Sequence, residues 1–163
     1  MIIHLKNKQT LQLDDFYFKC SIGENGISHK KKEGDKKTPK GIFFLEHLYF
    51  RKDKIKEIKT SLKKVIITKS MGWCDDVNSN KYNKLIKINK KIKHEKLFRK
   101  DNKYDLLIPI KYNFKNPKKK AGSCIFIHLT KNYKPTKGCV ALSKNDFLIM
   151  LKLIKKNSKI IIN

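Results

Sequence analysis

The sequence predicts a mainly β domain with flanking helices, and three observations carry that expectation. Short apolar runs rich in Ile, Val, Phe and Tyr recur along the whole chain. Turn-rich segments separate them, and only two stretches show the three-to-four-residue spacing of an amphipathic helix.

In order, the candidate strands are "MIIHL" at 1–5, "FYFKC" at 16–20, "GIFFLEHLYF" at 41–50, "KVIIT" at 64–68, "YDLLIPI" at 104–110, "SCIFIHL" at 123–129, "GCVAL" at 138–142 and "KIIIN" at 159–163. Their lengths and β-branched content suit strands better than helices. One helix is well signalled. Ser143 followed three residues later by Asp146 reads as a capping-box variant, and Phe147, Leu151 and Ile154 share one face. A weaker helical stretch runs from about Tyr82 to Phe98, with Leu85, Ile88 and Ile92 on a common face. "KKTPK" and the run Lys118-Lys119-Lys120 read as solvated loops.

At 163 residues with 39% hydrophobic content, the chain suits one domain with a real core, and no internal repeat divides it. The formal net charge of +26, from 40 Lys+Arg against 14 Asp+Glu, first suggests a polyanion partner. Only Arg51 and Arg99 are arginines, however, although arginine is the residue suited to bidentate phosphate and guanine contacts. The basic residues are also spread out, with 9, 17 and 10 in the first three blocks of fifty. That dispersal argues against nucleic acid as the partner, while leaving a field that concentrates anionic ligands and is screened by salt.

The four cysteines, Cys20, Cys74, Cys124 and Cys139, form no Cys-x-x-Cys pair and match neither a zinc site nor a dense disulfide framework. Cys74, Asp75, Asp76 and His94 are ligand types at irregular spacing, and no metal is expected there. No apolar run approaches the ~20 residues that span a bilayer. The start lacks a signal-peptide pattern, so work outside the cytoplasm would need an export signal removed from or lying beyond this chain.

The chemistry-bearing candidates are Cys139 and His128. A thiol attacks a carbonyl only as its thiolate and needs a nearby base or cation, usually histidine. In an extended segment ending at His128, the side chains of Cys124, Phe126 and His128 point one way and those of Ile125, Ile127 and Leu129 the other. Cys139 opens the next apolar run, so two neighbouring strand ends would bring thiol and imidazole together. Gly138, lacking a Cβ, lets the chain turn sharply and aim backbone N–H groups at an oxyanion. On local sequence alone, a cysteine before Val-Ala-Leu is usually a core residue and a glycine before a strand usually a turn. Asp35, Thr38 and Pro39 read as turn-forming residues near this site. Trp73, with Asp75 and Asp76, is expected to be structural rather than substrate-binding, and Glu95 has no evident partner.

The stretch "IFIHLTKNYKPTKGCVALS" resembles the active-site region of the L,D-transpeptidase (YkuD-like) catalytic domain, whose signature is an upstream His, a loop, then Ser/Thr-His-Gly-Cys and an apolar strand. "CSIGENGISHKKKEGDKKTPKGIFFL" is similar to the family's N-terminal half, with its Thr-Pro-x-Gly-x-Phe. "WCDDVNSNKYN", "HEKLFRKDNKYDLLIPIKYN" and "GSCIFIHL" resemble the middle of a subgroup of small bacterial members. The resemblance runs from about Cys20 to Leu151 and implies an L,D-transpeptidase-like β-sandwich with flanking helices, 1–163 forming one catalytic domain.

By that resemblance Cys139 matches the nucleophile, His128 the general base, Gly138 the glycine before the nucleophile, and Thr136 the Ser/Thr position. Lys137 stands where better-known members carry a second His, the loop between His128 and Cys139 is shorter, and the polar residue many members place after the cysteine is absent. Thr136 and Lys137 are expected to bind substrate; Lys137 would favour the thiolate or hold a carboxylate, with an exposed loop lysine as the alternative. The implied substrates are peptidoglycan tetrapeptide stems, cleaved before the terminal D-alanine without metal or organic cofactor, by a monomer in the cell envelope. The competing reading is a non-catalytic basic module docking on anionic wall polymer or nucleic acid.

Overall fold

The computed structural model describes residues 1–29 and 31–163. Lys30, inside the stretch that resembles the family's N-terminal half, lies outside them. β1 (Ile2–Asn7), β2 (Thr10–Leu13) and β3 (Phe16–Ser21) form an antiparallel meander. Alternation sets their inner face: Ile3 and Leu5, Leu11 and Leu13, and Phe18 and Cys20 are all buried. β4 (Ile27–Ser28) then pairs in parallel with β5 (Thr38–Pro39). "KKTPK" is therefore strand-paired at its centre rather than a solvated loop, because the fully buried Thr38 accepts a hydrogen bond from Gly23 N through Oγ1.

The single run at 41–50 divides into β6 (Gly41–Phe44) and β7 (Leu48–Phe50), which serve opposite ends of the main sheet. β8 (Lys64–Ile66) lies parallel to β7. β9 (Met71–Cys74), β10 (Leu85–Lys87) and β11 (His94–Lys96) make a separate three-stranded sheet with β9 in the middle. β12 (Leu106–Pro109), β13 (Phe126–Leu129) and β14 (Val140–Leu142) precede helix α1 (Lys144–Leu153), and β15 (Lys159–Ile162) closes the described chain.

The main sheet has ten strands in the order β6-β15-β1-β2-β3-β14-β13-β12-β7-β8, joined at its centre by β3 against β14. It curls around a core in which Ile3, Leu11 and Ile160 from one half meet Ile127, Val140 and Leu142 from the other. Helix α1 seals that core with Phe147, Met150 and Leu151. As the sequence indicates, Ser143 is its N-cap, its Oγ accepting from Asp146 N at 3.1 Å. The mainly β sandwich with a flanking helix is thus the observed architecture.

One expectation fails: the stretch from Tyr82 to Phe98 is not helical, which leaves α1 as the one α-helix among the described residues. Leu85 is exposed, so the apolar face inferred for that helix does not face the core. Asn89 closes a turn instead, its Oδ1 accepting from Lys91 N at 2.9 Å. The flanking strands pair with β9, whose Trp73 supplies the burial that a helix there would lack.

Removing the main apolar anchor of α1 tests how far the helix holds the curled sheet. Phe147→Ala is expected to cost about 3–5 kcal/mol in urea unfolding and Ser143→Ala about 1 kcal/mol. A Phe147→Ala variant with an unchanged urea midpoint would place the core elsewhere.

Candidate active site

β13 and β14 are parallel neighbours, with Ile127 opposite Val140 and His128 opposite Ala141. Alternation along each strand then sorts the side chains. Ile127, Leu129, Val140 and Leu142 face the core under α1, whereas Phe126 and Cys139 face a second cluster built on Trp73, Leu97 and Tyr104. His128, in register with Ala141, lies on this second face. The sheet thus brings the two expected reactive residues to one face, two strand positions apart.

The loop from 130 to 139 makes this parallel pairing possible. Parallel strands ordinarily need a crossover of about a dozen residues or more, and this short one is pinned by hydrogen bonds. Thr136 N donates to Ile22 O at 2.8 Å, and Glu24 N donates to Thr136 O at 2.9 Å. The buried Thr136 Oγ1 donates to Cys139 O at 2.6 Å and accepts from Gly138 N at 3.1 Å. The Gly138 N–H, expected to point at an oxyanion, is therefore engaged by Thr136. Gly138 has φ +129°, and a Cβ there would stand 2.7 Å from Lys37 O, so glycine is the residue that fits.

Cys139 is 7% exposed, and its thiol donates to Cys124 O at 3.1 Å while Sγ accepts from Phe126 N at 3.4 Å. Burial pushes its pKa up to about 12, reinforced by the Glu95 carboxylate and opposed by the Phe126 N–H, Lys103 and Lys31. His128 is 2% exposed. Its Nδ1 lies 2.9 Å from Leu129 O, which places a proton on Nδ1 and leaves Nε2 as the basic nitrogen. Nε2 is buried without a hydrogen-bond partner among the described residues. Burial, aided by the nearby Lys103, lowers the imidazole pKa to about 3. At neutral pH both groups therefore rest uncharged.

Cys139 opens onto a cavity of about 550 Å³, whereas His128 borders an adjoining one of about 320 Å³. Lys103 lines both, and Tyr104 packs its ring edge-on against His128 at 5.5 Å. Sγ of Cys139 and Nε2 of His128 are not hydrogen-bonded to each other. Tyr104 OH donates to Glu95 Oε1 at 2.5 Å, and burial raises its own pKa well above the ordinary value, so the phenol remains a donor. The 98–104 segment that carries Lys103 and Tyr104 is tied down by Arg51, which donates to Arg99 O at 2.6 Å and stacks over Phe98.

Other sequence candidates fall around this centre. Lys137 borders the larger cavity but is itself exposed. Asp35 organises the loop beside Gly138. Burial alone would raise its pKa, yet hydrogen bonds from Lys31, Lys32 N and Lys37 N hold it below the usual carboxylate range. Trp73 is structural: it is buried, its Nε1 donates to Asn83 Oδ1, and it packs edge-on against Phe126. Cys74 and His94 face each other in the β9–β11 register, but among the described residues no group of three or more His, Cys, Asp or Glu forms a metal-binding set. Sequence reasoning missed Lys31, Glu95 and Tyr104, because their bearing on Cys139 depends on which strands pair.

The family model of the L,D-transpeptidase catalytic domain, YkuD, matches residues 2–162. No curated protein matches the chain. Among solved structures, Bdellovibrio bacteriovorus Bd1075 is similar in fold, with a TM-score of 0.51 at 18% identity over 99% of this chain and 47% of that one. The chain thus spans about half the length of that protein.

The buried neutral imidazole links stability to pH. Because its folded pKa lies below the unfolded value near 6.5, its contribution is present above that value and is lost as pH falls toward about 3. Between pH 7 and pH 5 the wild type should lose up to about 2 kcal/mol more than His128→Asn, read from urea midpoints; parallel losses would contradict a buried neutral histidine. Gly138→Ala should destabilise by about 2 kcal/mol through positive φ and collision with Lys37 O, and a wild-type midpoint would count against the turn geometry.

Proposed function

Because the chain belongs to the YkuD family of L,D-transpeptidase catalytic domains, we propose that it is a cysteine-dependent L,D-transpeptidase or L,D-carboxypeptidase, residues 1–163 acting as one catalytic domain on peptidoglycan stem peptides in the cell envelope. The observation that carries this reading is the His128 Nε2, buried, unpartnered and on the sheet face of Cys139, with Nδ1 held by Leu129 O. An unpartnered basic nitrogen in such a place costs stability, and a catalytic role accounts for its retention.

The resting neutrality of both groups decides the order of proton transfer. Cys139 turns from Cys124 O toward His128, and Nε2 takes the thiol proton as sulfur bonds to the amide carbon between the diamino acid and D-alanine. The Cys139 N–H faces the oxyanion, while Gly138 supplies the backbone turn that places it. When the C–N bond breaks, His128 returns the proton to the departing D-alanine amine. The thioester then yields to an amine of a second stem, giving a 3→3 cross-link, or to water, giving a tripeptide. Thr136 holds the turn beneath the bound stem, and Lys137, at the cavity mouth, meets its terminal carboxylate. No step calls for a metal or organic cofactor.

A second reading draws on the +26 net charge and the raised thiol pKa: a basic module that binds anionic wall polymer without catalysis. It predicts affinity that falls steeply with salt and is indifferent to Cys139→Ala. The deciding experiment incubates wild type and Cys139→Ala with a disaccharide-tetrapeptide and follows products by mass. Release of D-alanine by the wild type, reduced at least 1,000-fold in the variant (roughly 4 kcal/mol of barrier), is the expected result. A tripeptide would identify water as acceptor and a cross-linked dimer an amine; an unchanged substrate with folded wild-type protein would overturn the reading of stem peptides as substrate.

A further inference from the structure

Lys31 is the one buried lysine among the described residues, its side chain 3% exposed. A lysine is withdrawn from water only where something holds its charge, and Lys31 Nζ donates to Asp35 Oδ1 at 2.8 Å. Asp35 is fixed in turn, accepting from Lys32 N at 2.7 Å and Lys37 N at 2.9 Å. The carboxylate thus anchors the ammonium, which has three donors and spends one here.

Two glycines make room for this side chain. A Cβ at Gly122 would lie 2.9 Å from Lys31 Cε and 3.1 Å from Cδ and Cγ. A Cβ at Gly138 would lie 3.5 Å from Lys31 Nζ. The lysine therefore runs through a channel that side chains would close, and its charge ends beside the residue preceding Cys139, on the wall of the cavity into which that thiol opens. Lys137 lines the same cavity from an exposed position.

Resting on the reading of Cys139 as nucleophile, we propose that Lys31 is a positioning residue that holds positive charge against the Cys139 thiolate and the oxyanion formed at it, with Asp35 as its anchor. The other charges facing the thiol divide. Glu95 opposes ionisation and Lys103 favours it, as does Lys31. Tyr104 and Cys124 rest neutral, both with raised pKa values, and Arg99 is engaged by Asp101 at 2.6 Å. Of the two cations that favour the thiolate, only Lys31 is buried, so its field is the less screened by solvent.

The test measures alkylation of Cys139 by iodoacetamide at pH 8, following the Cys139 peptide by mass, so that no wall substrate is needed. Lys31→Met should slow alkylation about threefold to tenfold, as expected when removal of a nearby cation lowers the thiolate fraction. Lys31→Arg should restore the rate to within twofold, and Lys6→Met, which removes the same charge from an exposed strand position, should leave it unchanged. If Lys31→Met unfolds, Lys31→Gln, which keeps a donor for Asp35, carries the same expectation. Folded Lys31→Met or Lys31→Gln protein that alkylates at the wild-type rate overturns the proposal. Slowed alkylation in a protein whose wild type releases no D-alanine would keep the role of Lys31 and discard the substrate reading.

Discussion

The parallel pairing of β13 with β14 is the constraint on which the rest of the molecule depends. It sets Ile127 against Val140 and His128 against Ala141. Both strands are buried on both faces, so a slip of β13 by one residue would turn Ile127 and Leu129 out of the core, and a slip of β14 would turn out Val140 and Leu142 and carry Cys139 in. The apolar demand of the α1 side thus secures the position of the polar residues on the other side. The short crossover requires the Thr136 bridge to Gly23 and the unusual backbone of Gly138, and it draws residues 31–37 up beside Cys139. Lys31 and Asp35 belong to that segment, so the charge around the thiol follows from the same register.

Electrostatics at the site is a balance between dehydration and fixed charge. Burial raises the Cys139 thiol and lowers the His128 imidazole, and both shifts favour the neutral pair. At the thiol Glu95, held by Tyr104, pushes further in that direction while Lys103 and Lys31 push back; at His128 Lys103 instead joins burial in favouring the neutral ring. The net charge of +26 contributes little to this balance, because exposed lysines are screened by water and salt. What counts at the thiol is the small number of cations that the fold withdraws from solvent.

Much of the fold was legible in the sequence where one local signal decided the outcome. The cap at Ser143 with the Phe147, Leu151 and Ile154 stripe marked α1, and the apolar runs marked β1, β3, β12, β13, β14 and β15. The face shared by Phe126 and His128 also followed from alternation, whereas Cys124, outside β13 at φ +54°, reaches the Trp73 cluster through a turn that alternation does not describe. The region from Tyr82 to Phe98 was misread because Leu85, Ile88 and Ile92 satisfy a helical period by chance, while the deciding partner, Trp73 on β9, is distant in sequence. Nothing in the local sequence distinguishes Lys31 from the lysines around it. Only the positions of Gly122 and Gly138, far along the chain, reveal that it is buried. Local pattern reports periodicity and turns; contacts between distant segments determine which lysine has lost its water.

A nucleophile that rests as a buried neutral thiol is consistent with the proposed chemistry rather than opposed to it. A permanently ionised Cys139 would be open to adventitious electrophiles and oxidation, whereas a thiol bonded to Cys124 O is withheld from both. A stem peptide entering the cavity would displace water and bring a carbonyl whose developing negative charge answers Lys31 and Lys103. The same event gives the thiol proton a destination at His128 Nε2, which has no other partner among the described residues. Ionisation of the pair is then favoured chiefly while a substrate carbonyl is present, and the interactions involved strengthen toward the transition state rather than in the resting protein. On this reading the unpartnered imidazole nitrogen and the buried lysine are stability costs accepted at one place, and both are met when acyl transfer begins.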